Sequence, residues 1–153
     1  MSRMKTFRGK LAEGNQDKIH LAGGDESSGY RIKSFKIISD EPMAAAVEAV
    51  VKIYSISQAS ATAGVDFSDD TVIGVATYSE TDSLNYPLTQ VIIFDHEVFN
   101  QDIFVTYKSA SSSSVSMNYY LELEQIEMPK GEQAVVNFKA ALLHSEWAQQ
   151  FTT

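Results

Sequence analysis

The sequence predicts an all-β fold, an eight-stranded β-sandwich of jelly-roll-like character with an amphipathic helix at its C-terminal end. Two observations carry the sandwich: apolar residues recur with period 2 along most of the chain, and β-branched and aromatic residues fill short runs separated by Gly, Asn, Asp, Ser and Pro. A third carries the helix, since Val136, Ala140, Leu143, Trp147 and Phe151 recur every three or four residues after the breakers Pro129 and Gly131. At 153 residues the chain has the length of one domain and can bury roughly two-thirds of its unfolded surface in one core. The expected division is a sandwich over 1–128 and a helix over 129–153, packed on the sandwich or on a neighbouring subunit.

The first strand is predicted over Lys5–Leu11 and the second over Lys18–Ala22, joined through the turn residues Gly14 and Asn15 as a hairpin. Tyr30–Ile38 follows, and its apolar set changes phase from Tyr30 and Ile32 to Phe35 and Ile37, which requires a bulge or bend. Met43–Ala46 favours a short helical turn, and from Val47 the alternation Val47, Ala49, Val51, Ile53 predicts a strand. A long polar loop, Ser57–Asp70, separates it from a strand over Thr71–Tyr78. Leu88–Phe94 contains the unbroken run Val91-Ile92-Ile93-Phe94, which reads as a strand buried on both faces, and Ile103–Lys108 is also expected to be central. After a serine-rich loop, Ser109–Ser116, the last strand spans Tyr119–Ile126 with Tyr119, Leu121 and Leu123 inward and Glu122 and Glu124 on a solvated outer face. In the terminal helix Val135, Phe138 and Leu142 widen the apolar face.

No apolar run approaches the roughly 18 residues of a helical membrane span, and MSRMKTFRGKLAEG has basic residues without the apolar stretch of a secretory signal. The absence of cysteine removes disulfides, thiolate metal sites and thiol catalysis. His20, His96 and His144 share no ligand spacing. Asp95-His96-Glu97 with Asp102 is the best candidate for a metal site, although adjacent residues rarely converge on one ion. Asp66, Asp69 and Asp70 lack the glycine and terminal glutamate of an EF-hand loop, so a turn is expected there. No GxSxG elbow and no phosphate-binding loop is present. The reading is therefore not an enzyme, with no catalytic residue, cofactor or metal assigned. Tyr30, Tyr54, Tyr78, Tyr107, Tyr119 and Tyr120 are expected to pack in the sheets, a surface of tyrosines for glycans being the competing reading.

Charge is the remaining signal. The net charge of −8 argues against nucleic acid as a partner, since phosphate binding needs clustered cations. Residues 1–36 nevertheless hold eight basic against four acidic residues, a balance of +4, while the remainder holds four against sixteen, a balance of −12. A basic edge on an acidic body suits an acidic protein surface, another copy of the chain included. The candidate protein contacts are Arg3, Lys5, Arg8 and Lys10 on the first strand and Val136, Leu143, Trp147 and Phe151 on the helix.

The ordered segments Tyr30-Arg31-Ile32-Lys33, Val51-Lys52-Ile53-Tyr54, Val65-Asp66-Phe67-Ser68-Asp69, Val91-Ile92-Ile93-Phe94-Asp95, Phe99-Asn100-Gln101-Asp102-Ile103-Phe104-Val105-Thr106 and Asn118-Tyr119-Tyr120-Leu121-Glu122-Leu123-Glu124 resemble small virion structural proteins of marine tailed bacteriophages. The resemblance spans residues 30–126 and carries no functional residues over. It implies a place in the virion, most simply as a capsid decoration or cement protein that binds the phage capsid protein or other virion proteins and itself forms homo-oligomers. A tail or head-to-tail junction protein and a carbohydrate-binding module for host glycans are the alternatives. No membrane or nucleic-acid partner is expected.

Overall fold

The computed structural model describes residues 3–22, 27–42, 46–80, 89–111 and 115–151, without the side chains of 89, 130, 132 and 143–151. Eight strands and one helix follow in order: β1 (Arg3–Leu11), β2 (Gln16–Ile19), β3 (Ser28–Ser39), β4 (Val47–Tyr54), β5 (Val72–Glu80), β6 (Thr89–Phe94), β7 (Ile103–Ser109), β8 (Met117–Glu127) and α1 (Lys130–Phe151). They form two antiparallel sheets, ordered β1-β8-β3 and β2-β7-β4-β5-β6. The strands nest in a jelly-roll-like manner: β1 to β4 alternate between the two sheets, and β4 and β5 then pair within one. β6 pairs with β5 in the five-stranded sheet, and Gln90 Nε2 donates to the Ile37 carbonyl of β3 at 2.7 Å.

This nesting overturns the expected hairpin. β1 pairs with β8 and β2 with β7, so the chain changes sheets at residues 12–15. Gly14 makes the corner at a φ of 86°, a backbone region open to glycine at little cost, and its N–H bonds the Tyr107 carbonyl at 2.9 Å. The predicted phase change in β3 is a bulge, its register with β8 shifting between Ile32 and Ser34. Ile32, Phe35 and Ile37 thereby all enter the core between the sheets, which they share with Val47, Val51, Ile53, Ile103, Val105, Tyr107, Met117, Leu121 and Leu123.

One burial expectation is corrected, and a second strand is covered more fully than its alternation requires. β6 is an edge strand, and Val91 and Ile93 are each about half exposed on its outer face, while Ile92 and Phe94 pack against the core. An unbroken apolar run gives no indication of which of its faces will be covered. β4, predicted from the alternation that starts at Val47, is buried on both faces, because the loop from Ser55 to Asp70 lies over its outer side. There Val50, Tyr54, Val72 and Val75 form a second small core with Ala63 and Phe104 against them.

That covering loop has two pins. Lys52, 2% exposed, donates to Thr62 Oγ1 at 2.7 Å and to the Gly64 carbonyl at 2.6 Å, and its Nζ lies 5.4 Å from the Tyr54 ring centroid. Neutral acceptors and an aromatic face thus replace the water a buried ammonium gives up. Across β7, Gln16 donates to Ser57 Oγ and accepts from the Gln58 N–H. The helical turn expected at Met43–Ala46 falls on residues 43–45, which lie outside the described residues, and Ala46 is not helical. No described helix is long and apolar enough to cross a membrane.

Candidate functional site

Alternation along β1 divides the basic residues that the sequence groups together. Arg8 and Lys10 lie on the outer face of the β1-β8-β3 sheet, whereas Arg3 and Lys5 belong to the opposite face at its edge, where Lys5 Nζ stands 5.6 Å from the Tyr30 ring centroid. The outer face then gains cations that the sequence reading had not selected. Arg8, Tyr120 and Lys36 occupy one row across three adjacent strands, and Lys10, Asn118 and Ile38 form the next. These residues line an open groove of about 770 Å³ that extends to Gln90. Tyr120 is 40% exposed and Ile38 49% exposed, so the groove offers apolar surface framed by charge.

Farther along this face Arg31 Nε donates to Glu124 Oε2 at 2.8 Å, with Lys33 Nζ at 3.5 Å from the same oxygen. Glu124 is therefore largely covered, not solvated as expected, and the Arg31 hydrogen bond leads the effects that hold its carboxyl below the ordinary glutamate range. Lys10 pairs with Asp40 at 3.3 Å. Among the described residues, Arg8 and Lys36 make no ion pair. The strands of this face carry five cations, Arg8, Lys10, Arg31, Lys33 and Lys36, against the carboxylates Glu122 and Glu124.

The helical candidates divide as well. Val136, Lys139 and Ala140 turn toward residues 97–101, the segment before β7, around an apolar cavity of about 50 Å³. Lys139 pairs with Glu97, the Asn100 amide meets Asn137, and Gln133 Nε2 donates to the Met128 carbonyl at 2.6 Å. Val135, Phe138 and Leu142 point away from this contact and are exposed, so they do not widen the docking face. The side chains of Leu143, Trp147 and Phe151 lie outside the described residues.

Most of the residues weighed as metal ligands have other partners. Asp102 accepts from the Leu21 and Ala22 N–H groups at 2.7 and 2.8 Å and pairs with Lys18, joining the end of β2 to the start of β7. Burial raises its carboxyl pKa, but the two backbone donors and Lys18 outweigh burial and the net direction is downward. His96 sits edge-on to Phe94 with centroids 5.6 Å apart. Asp66 accepts from the Ser68 N–H and hydroxyl, and Asp69 from those of Thr71, as loop-forming side chains do. Among the described residues no three His, Asp or Glu side chains gather around a common point.

The tyrosines weighed as a glycan surface are mostly internal: Tyr30, Tyr54, Tyr78, Tyr107 and Tyr119 are buried, and Tyr120 is the exposed member of that set. Strand phase in β3 and β8 held the signal for Lys36 and Tyr120, both out of step with the buried residues beside them. Their juxtaposition needed the register of two strands about 80 residues apart. Comparison with known proteins finds no matching family model, no matching curated protein and no matching solved structure.

Proposed function

We propose that this chain is a non-enzymatic structural protein of a tailed-phage particle, a decoration or cement protein that binds the outer capsid and reinforces it. The observation that carries the reading is the basic outer face of β1-β8-β3, where Arg8 and Lys36 flank Tyr120 on a chain of net charge −8. A rigid sheet that projects cations around a partly exposed aromatic suits an acidic protein surface presented in many copies. The resemblance of residues 30–126 to small virion proteins, and the frequent use of jelly rolls in capsid and decoration domains, support the same reading.

The test is cosedimentation of the purified chain with particles of its source, together with counting its copies against the major shell protein by quantitative mass spectrometry. Copies near the shell number and binding that Arg8→Glu with Lys36→Glu abolishes support decoration. Absence from particles overturns the virion reading. A second structural reading, a tail or head-to-tail junction protein, is favoured by the exposed stripe Val135, Phe138 and Leu142 on α1. It predicts about a dozen copies per particle, as expected of a ring at a symmetry axis.

A further inference from the structure

The exposed large apolar side chains of the sandwich fall into two sets, and the charge around each set has the opposite sign. On the outer face of β1-β8-β3 they are Met4, Ile38 and Tyr120, among the five cations described above. On the far side of the molecule they are Val91 and Ile93 on β6, and Val65 and Phe67 in the loop that covers the five-stranded sheet. Around this second set stand Glu48 on the outer side of β4, Asp66 and Asp69 in the loop, and Asp95 at the end of β6. The cation beneath them, Lys52, is buried by the loop and contributes no exposed contact. Among the described residues, the other cations on this side are already paired, Lys18 with Asp102, Lys108 with Glu13 and, at the helix, Lys139 with Glu97. The acidic set therefore remains uncompensated over β4, β5 and β6.

We propose that these two faces are complementary halves of one interface, so that the basic face of one copy stacks on the acidic β4-β5-β6 face of the next. This deepens the decoration reading, on which it rests for its biological setting: a copy whose basic face meets the capsid leaves its acidic face open to the basic face of another copy. The contact is head-to-tail. It uses different patches on the two copies and so repeats as a row. Apolar side chains at the centre of each patch supply area to bury, and the surrounding charges set orientation and reject like faces.

The test is sedimentation velocity on the full chain across protein concentration at low and raised salt, with circular dichroism to confirm that each variant is folded. The expected result is concentration-dependent association that weakens by at least about tenfold from 50 to 500 mM salt, as screening of exposed charge requires. Arg8→Glu with Lys36→Glu, and separately Glu48→Lys with Asp95→Lys, should each sediment as monomers. Mixed one to one, they should associate again, because each retains the half the other has lost and the two reversed patches are themselves of opposite charge. A wild-type monomer at every concentration overturns the proposal, as does association that both double variants retain or a mixture that stays monomeric. No particle is present in this experiment, so its failure leaves the capsid-binding assay free to succeed or fail separately.

Discussion

Tyr119 donates its phenolic hydrogen to Asp17 Oδ2 at 2.9 Å, and this bond crosses the sandwich, since Tyr119 belongs to β8 and Asp17 to β2 of the opposite sheet. Burial, foremost, and the neighbouring carboxylate push the phenol pKa upward, which keeps Tyr119 a donor at neutral pH. Gly9 leaves the space for it. A Cβ on Gly9 would stand 2.8 Å from the Tyr119 hydroxyl oxygen and 3.0 Å from Asp17 Oδ2.

Tyr119→Phe should therefore cost about 1–3 kcal/mol, the range for a hydrogen bond to a charged group. Gly9→Ala should destabilise by a comparable amount through overpacking. Because the phenolic oxygen is the closest obstacle, the double variant should be less destabilised than the sum of the two. Urea denaturation of the four proteins closes the cycle, and strict additivity would show that the two residues do not meet.

Asp102 makes stability pH-dependent in a defined direction. Its carboxyl pKa is depressed on folding, so the stabilisation is present above the ordinary aspartate value of about 3.9 and is lost as pH falls through the lower folded value. Asp102→Asn should be less stable than wild type at pH 7 by about 1–3 kcal/mol, having lost a charged acceptor for two backbone donors. The gap should narrow as pH falls from 4 toward 2. A gap independent of pH would exclude the carboxylate charge as its source.

Lys52 predicts a local and a global effect together. Lys52→Ala removes the buried stem, strands the Gly64 carbonyl and leaves a void, with an expected loss of about 2–4 kcal/mol. Lys52→Met keeps most of the packing volume and should cost less. In both variants cleavage within residues 57–70 under limited proteolysis should accelerate, because the pin over the second small core is gone. Unchanged cleavage would locate the hold on this loop at Gln16 instead.

Gly29 connects the sandwich to the helix. A Cβ there would lie 2.5 Å from Val98 and 2.8 Å from the Met128 sulfur, and both residues lead into the region that carries α1. Gly29→Ala should cost about 1–3 kcal/mol and should raise amide exchange in α1 more than in β7. Equal exchange in the two elements would uncouple the helix from this contact.

How far the sequence was legible follows from which contacts are local. The bulge of β3 could be read because Ile32 and Phe35 are three residues apart and both had to face inward. The start of β4 at Val47 and the helix after Pro129 were legible for the same reason. The hairpin was misread because nearness along the chain favours pairing, whereas here β1 finds its partner more than 100 residues away. Val91 and Ile93 were misread because burial on a second face depends on what covers it, and the covering loop stops over β4 and β5. The basic face was half legible. The excess of positive charge near the start was plain, but strand parity sends Arg3 and Lys5 to one side and Arg8 and Lys10 to the other.

β8 is both the last strand in the chain and the middle strand of its sheet. During synthesis β1 and β3 thus emerge with no partner between them, and each presents open hydrogen-bonding edges until residue 127 has left the ribosome. Assembly of the three-stranded sheet is a closing event, slow in the manner of folds dominated by distant pairings. A chain broken off before β8 has no route to concealing those edges, so truncated products should be cleared or aggregate and not persist as partly folded competitors.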